Sequence, residues 1–251
     1  MMIGEKVMIP KKIHYCWFGG KELPKLAKKC LESWKRYCPD YEIIRWDEST
    51  FDINSNQYVK EAYENKKYAF VTDYVRLYAL YNFGGIYMDT DVEVLKPLDE
   101  FLENKAFSGF ESNSYVPTGI MASEKETDIM KKLLDYYDNR SFVKSDGSLD
   151  LTTNTQTITA IFEKLGLNKN NQFQVIDGFA LYPSEYFCPI DCSTKKKKIT
   201  NNTHTIHWFA GSWVPLKSKI NYKIFLILKK IIGDNNAKKL KKFINNKNST
   251  K

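Results

Sequence analysis

No stretch of this 251-residue sequence approaches ~18 consecutive apolar residues, so no single helix is expected to cross a bilayer. The opening "MMIGEKVMIPKKIHYCWFGG" has no apolar core ahead of its first strand, and no secretory signal is read there. Metal-finger spacing is missing too. The five cysteines, Cys16, Cys30, Cys38, Cys188 and Cys192, are odd in number, and the last two have no second pair nearby. They read as free thiols in a reducing compartment, and a cytoplasmic protein is expected. Internal repeats are absent. A basic body is also lacking. The net charge is +8, but residues 216–251 hold eleven lysines against one acid, Asp234, and carry +10, which leaves −2 on residues 1–215. That distribution argues against a nucleic-acid-binding body, and no nucleic-acid partner is expected.

What is present suits one sizeable core over residues 1–215 with a basic tail over residues 216–251. "KIHYCWF" reads as a strand, "PKLAKKCLESWKRYCP" as a helix closed by Pro39, and "YEIIRWD" as a second strand, so a parallel sheet is expected. Helices follow at Gln57–Asn65 and Ala69–Asn82, the latter capped by Gly84. "IYMD" and "VEVL" read as strands, as do pieces of "AFSGFES" and "VPTGIMAS". Asp128–Asn139 reads as a helix, "DGSLDLTTNTQ" as a polar loop and Thr157–Leu165 as a helix whose N-cap is Thr152, Thr153 or Asn154. "FQVIDGFALYP" reads as a hairpin turning at Asp177-Gly178, and "HTIHWFAGSW" as a short aromatic strand and turn. Aromatics make up 14% of the chain, which serves packed cores as well as sugar and nucleotide sites.

In "FGGIYMDTDVEV", Asp89 and Asp91 interrupt an apolar stretch where a core strand wants valine. On an extended backbone, residues i and i+2 point the same way, and two buried acids at that distance repel. A hard divalent cation, Mg²⁺ or Mn²⁺, removes the conflict. The strand end is also where open α/β sheets bind ligands. The bland alternative is a turn with two exposed acids. Asp73 and Arg76, three apart on the preceding helix, share a face that the Gly-Gly turn brings back toward these acids. Taken in isolation, that pair reads first as an ordinary i, i+3 ion pair on a solvated helix.

Taken together, "YAFVTDYVRLYALYNFGGIYMDTDV" resembles the core signature of family-32-like glycosyltransferases of the GT-A class. That group includes capsular polysaccharide transferases, fungal initiating mannosyltransferases and the glucosylating domain of large clostridial toxins. "IPKKIHYCWFGG" and "HWFAGSW" resemble its first strand and its C-terminal aromatic segment. The resemblance runs from about Ile9 to Trp213 and is thin between Glu111 and Thr203. It implies an α/β, GT-A-like (Rossmann-like) mixed, mainly parallel sheet flanked by helices. It implies a retaining, Mn²⁺- or Mg²⁺-dependent transfer of a hexose from a nucleoside diphosphate sugar, a UDP-sugar first, to a saccharide or lipid-linked glycan acceptor. Bacterial capsule or other surface polysaccharide assembly is the implied setting.

Residue by residue, the resemblance implies that Trp17 stacks on the nucleotide base and that Asp73 and Arg76 hold the donor sugar. Tyr87 would lie near the donor. Asp89 and Asp91 would take the metal, with His207 as a further ligand, and Trp213 would contact the leaving diphosphate. Trp17 and His207 could equally be core residues. His14 reads as a hydrogen-bonded strand residue. "DLTTNTQTITAIF" departs from the family, whose helix start here carries glycine and proline, so the acceptor side is open. Two readings of other classes compete: a metal-dependent phosphoryl-transfer enzyme, which calls for further acidic ligands, and a non-catalytic membrane-surface scaffold, which has no need of the four acid and arginine positions.

In the tail, Ile220, Ile224, Ile227, Leu228 and Ile231 gather on one face of a helix, with lysines largely elsewhere. This is the pattern of an amphipathic helix lying on anionic lipid at the inner face of the cell membrane. A helix packed on the body is the other reading.

Overall fold

The computed structural model describes residues 8–111, 115–116, 119–191, 196–211 and 233. The expected tail helix, Trp213 and Cys192 lie outside the described residues. The chain divides into two units, Met1–Phe209 and Ala210–Lys251, and everything below concerns the first.

Nine strands and six α-helices are described in that unit. β1 (Lys12–Cys16), α1 (Lys25–Tyr37) and β2 (Glu42–Trp46) form the expected β-α-β start, with β1 and β2 parallel. α2 (Gln57–Glu64) and α3 (Tyr68–Phe83) lead into β3 (Gly85–Met88) and β4 (Val92–Val94). β5 (Ala106–Gly109), β6 (Ile120–Ser123), α4 (Asp128–Asp135) and α5 (Asn154–Lys164) follow. β7 (Gln174–Ile176), β8 (Phe179–Tyr182), α6 (Ser184–Phe187) and β9 (Thr205–His207) complete it.

Seven strands make one sheet in the order β2-β1-β3-β6-β5-β8-β7. β1 is parallel to β2 and β3, and β5 to β8, whereas β6 and β7 run against their neighbours. Five of the seven strands therefore share a direction, which is the mixed, mainly parallel sheet expected from the sequence. Core residues cover both faces: along β3, Tyr87 packs with the cluster that includes α3, while Ile86 and Met88 pack with Trp34 of α1 on the other. β4 and β9 form a separate two-stranded antiparallel ribbon.

Two boundaries differ from expectation. α4 stops at Asp135, and the chain continues in turns to Asn139, which takes a positive φ of 56°. α5 begins three residues early, because Thr153 and Gln156 close a capping box that starts the helix at Asn154. The Asp177-Gly178 turn joins β7 and β8 as expected, with φ positive at both residues.

His14 in β1 is fully buried. Trp46 Nε1 donates to its Nδ1 at 3.1 Å, so the proton sits on Nε2, 2.8 Å from the Gly84 carbonyl. Burial pulls its pKa down from 6.5 to about 4. The unfolded chain therefore takes up a proton between pH 6.5 and 4 that the folded chain refuses, and stability is lost as pH falls through that window. The stability advantage of the wild type over His14→Ala is expected to shrink by about 3 kcal/mol between pH 7 and pH 4. Urea melts at both pH values check it; a constant difference refutes it.

Candidate active site

α3 is buried on nearly all sides, so Asp73 and Arg76 enter the protein rather than solvent. The helix ends at Gly84, φ 61°, whose N–H bonds the Leu80 carbonyl. A methyl group at Gly84 would lie 2.9 Å from both the Lys125 nitrogen and Pro10 Cδ, so both φ and space call for glycine. The chain then re-enters the sheet as β3, whose four residues are all buried, and reaches Asp89.

Asp89 and Asp91 do not continue an extended strand, as the sequence suggested. They lie in a turn closed by the Val92 N–H on the Asp89 carbonyl at 2.9 Å. The turn is anchored on three sides. The Asp89 N–H donates to the Gly119 carbonyl at 2.7 Å, and the Trp208 N–H to the Asp91 carbonyl at 3.0 Å. α1 supplies the third tie: Trp34 Nε1 donates to the Val92 carbonyl at 2.7 Å, and Ser33 Oγ accepts the Val94 N–H at 2.9 Å. Side chains of α1 thus satisfy the edge of β4 that no strand covers.

The carboxylates are partly buried, with side-chain exposures of 25% for Asp89 and 16% for Asp91. Arg76 Nη2 lies 3.3 Å from Asp73 Oδ1 and 3.3 Å from Asp89 Oδ1. Its guanidinium stands 4.5 Å from the centre of the Tyr87 ring, and Tyr87 Oη donates to Asp89 Oδ1 at 2.9 Å. β9 pairs with β4 so that His207 faces Val92, and His207 Nε2 comes to 3.4 Å from Asp91 Oδ1. One ligand atom from each of Asp89, Asp91 and His207 lies within 4.8 Å of the others. Among the described residues this is the one His/Cys/Asp/Glu group of three or more with that spacing.

The electrostatics follow from burial. Burial pushes the Asp73 carboxyl up to about 6, against the pull of Arg76, with Asp89 adding to the rise. It raises Asp89 as well, opposed by Arg76 and His207. Burial disfavours the His207 imidazolium, but its bonds to Asp91 and Cys188 outweigh that and hold its pKa well above the usual range. Arg76 stays charged, because Asp89, Tyr87 and Asp73 together outweigh its burial. An excess of negative charge from three acids is thus met by one arginine and one histidine. Two carboxylates and an imidazole nitrogen at this spacing suit Mn²⁺ or Mg²⁺.

Five of the residues expected from the sequence, Asp73, Arg76, Tyr87, Asp89 and Asp91, meet in this cluster, and His207 joins them from 116 positions beyond Asp91. Trp17 follows β1 directly and lies on the same edge of the sheet as Asp89, since β1 and β3 are parallel. It is half-buried, and its Nε1 donates to the Lys21 carbonyl at 2.5 Å. No hydrogen bond or ring contact joins it to the acid cluster among the described residues.

Asn154 was not singled out as a site residue. It is 3% exposed and lies beside Asp73, whose carboxyl its backbone N–H helps to hold down. Yet neither its Oδ1 nor its Nδ2 closes a hydrogen bond of ordinary geometry. A buried, unpaired amide costs stability, so a site for something else is the physical reason to keep it. The capping box T-x-x-Q was the signal that could have placed it at the first turn of α5. Asn154→Ala is expected to leave the melting temperature unchanged or raised while raising the KM for the substrate of this site about tenfold. Thermal melts beside substrate-dependent kinetics check this; an unchanged KM removes Asn154 from the site.

Comparisons with known proteins agree with the geometry. A family model described as glycosyltransferase sugar-binding region containing DXD motif matches residues 24–108. The resemblance read in the sequence is borne out over that span, which holds Asp73, Arg76, Tyr87, Asp89 and Asp91 but not Trp17, His207 or Trp213. Inositol phosphoceramide mannosyltransferase 3 of Schizosaccharomyces pombe is 32% identical over 129 residues, 48% of this chain and 35% of that protein. The uncharacterized glycosyltransferase L373 of Acanthamoeba polyphaga mimivirus is 27% identical over 225 residues, covering 83% of this chain and 85% of the other. The chain spans about a third of the length of the fission-yeast relatives it matches. Among solved structures, a glycosyltransferase involved in the glycosylation of the major capsid of PBCV-1 superposes with TM-score 0.46 at 13% identity, over 80% of this chain and 94% of that one.

Proposed function

We propose that the chain, which a glycosyltransferase DXD-region model matches over residues 24–108, is a metal-dependent, retaining glycosyltransferase. It moves a hexose from a nucleoside diphosphate sugar, a UDP-sugar first, to a saccharide or lipid-linked glycan. The setting we propose is bacterial capsular or other surface polysaccharide assembly at the cytoplasmic face of the membrane. One observation carries the activity: Asp73, Arg76, Tyr87, Asp89, Asp91 and His207, from separate elements, converge at the carboxyl end of β3.

Breaking the bond between the anomeric carbon and the β-phosphate oxygen leaves negative charge on the diphosphate. Asp89, Asp91 and His207 would hold Mn²⁺ or Mg²⁺, which would supply positive charge where that charge develops. Asp73 and Arg76 orient the sugar hydroxyls, and the Asn154 amide offers a further partner beside them. Tyr87 and Arg76 keep Asp89 in place from behind. Trp17 offers a flat face to the base. No side chain in the cluster is a convincing nucleophile. The acceptor hydroxyl therefore attacks from the face the phosphate leaves: its oxygen bonds the anomeric carbon, and its proton goes to the departing phosphate oxygen.

The deciding experiment is a donor screen by calorimetry and thermal shift, with Mn²⁺ and with EDTA. UDP-glucose, UDP-galactose, UDP-N-acetylhexosamines and GDP-mannose are the donors. GDP-mannose is included because the fission-yeast relative is named a mannosyltransferase. Metal-dependent stabilisation by one donor is expected; a folded protein that responds to none of them sinks the reading. The basic tail is the proposed membrane contact. Truncation after Pro215 is expected to weaken binding to anionic vesicles at least tenfold in co-sedimentation, since each lysine near the surface contributes about 1 kcal/mol. Equal binding removes the tail from that role.

A further inference from the structure

Gly119 directly precedes β6 beside the two acids, and its own φ does not require glycine, since it lies outside the left-handed region. Space requires it. A methyl group there would lie 2.8 Å from His207 Nδ1, 3.0 Å from Cε1 and 3.2 Å from Cγ, so it would press on the imidazole along one whole edge. The ring has little freedom to yield. Its backbone is held in the β4–β9 ladder opposite Val92, and the Trp208 N–H bonds Asp91 directly after it. The Phe209 ring lies 4.2 Å away at 31°, and Cys188 is close enough to the imidazole to influence its charge. Gly119 itself is fixed, because its carbonyl accepts the Asp89 N–H.

We propose that Gly119 is a positioning residue of the metal centre: its bare Cα is the wall against which the His207 imidazole seats, and any side chain there drives the ring off Asp89 and Asp91. The proposal rests on the metal reading above. It accounts for a glycine whose own φ does not require one, and it makes one backbone segment set two ligands at once, Asp89 through its carbonyl and His207 through its missing Cβ.

The test titrates Mn²⁺ alone into the full chain. Free Mn²⁺ is read by electron paramagnetic resonance, and the imidazole signals of His207 by NMR. The proteins are wild type, Gly119→Ala, His207→Ala, Asp91→Asn and the double variant Gly119→Ala/His207→Ala. Gly119→Ala is expected to weaken Mn²⁺ about tenfold and to abolish the selective broadening of the His207 signals. In the double variant, where no ring remains to clash, the affinity should equal that of His207→Ala alone. If Gly119→Ala binds Mn²⁺ as the wild type does while His207→Ala and Asp91→Asn are weakened, the positioning role is overturned and the metal reading stands. If the wild type does not bind, or neither His207→Ala nor Asp91→Asn changes binding, the metal reading falls and takes this proposal with it. Should Gly119→Ala fail to fold, recovery of the fold in the double variant supports the clash, and continued failure overturns it.

Discussion

Asp91→Asn is expected to cut sugar transfer about a thousandfold, close to 4 kcal/mol of transition-state stabilisation, with the fold intact. Asparagine keeps the size and leaves the backbone tie from Trp208 to the Asp91 carbonyl untouched. What it loses is the charge that holds the cation and stands 3.4 Å from His207 Nε2. Asp89→Asn makes the informative contrast. Asp89 also receives Tyr87 and faces Arg76, so its loss is expected to lower both activity and melting temperature. Transfer assays with the donor that the screen identifies, beside melts in EDTA, separate the two variants. Full activity of Asp91→Asn would sink the metal assignment.

The part of this site that a sequence displays is the part carried by contiguous chain. α3 ends within one residue of expectation because its apolar spacing and Gly84 are local signals. The same holds for the Asp-Gly hairpin and for the β1-α1-β2 start. The Asp73–Arg76 face and the two acids lie within 19 residues of each other, so one helix and one tight turn suffice to join them. The rest depends on tertiary register. β4 and β9 are three residues each, too short for a periodic signal, and only their pairing puts His207 against Asp91. A metal-binding histidine could therefore be expected from family resemblance but not from spacing. Asn154 was hidden for another reason: in "TTNTQ" every residue is a plausible cap, and polar composition read as loop. Gly119 follows Pro117 in "VPTG", where a glycine reads as part of a turn, so nothing local points to the His207 ring that lies against it. The turn at Asp89–Asp91 was only the second reading because the flanking residues are good strand formers, while the bend itself is enforced by ties from Gly119 and from α1.

Arg76→Ala should be the most destabilising single change in the site. The guanidinium is buried between Asp73 and Asp89 and over the Tyr87 ring, and its removal leaves two buried acids without their cation. Breaking such a group costs about 3–5 kcal/mol, or about 6–20 °C in a chain of this size. The pH dependence carries a definite sign. Asp73 already stands at about 6 with Arg76 present, against 3.8 when unfolded, and Arg76 is the main influence holding it down. Without it, Asp73 and Asp89 rise further, and the folded state binds protons that the unfolded chain has released. Stability of the variant relative to wild type must therefore fall as pH rises, with the deficit largest near pH 8 and shrinking toward pH 5. Mn²⁺ restores positive charge beside Asp89 and is expected to return part of the loss at pH 8, whereas EDTA does not. Arg76→Lys supplies a point charge but neither the fork nor the flat face over Tyr87, and should recover less than half. A variant with wild-type melting temperature at pH 8 would mean that the two acids are already compensated by other groups, and Arg76 would then be a sugar ligand rather than the electrostatic keystone of the cluster.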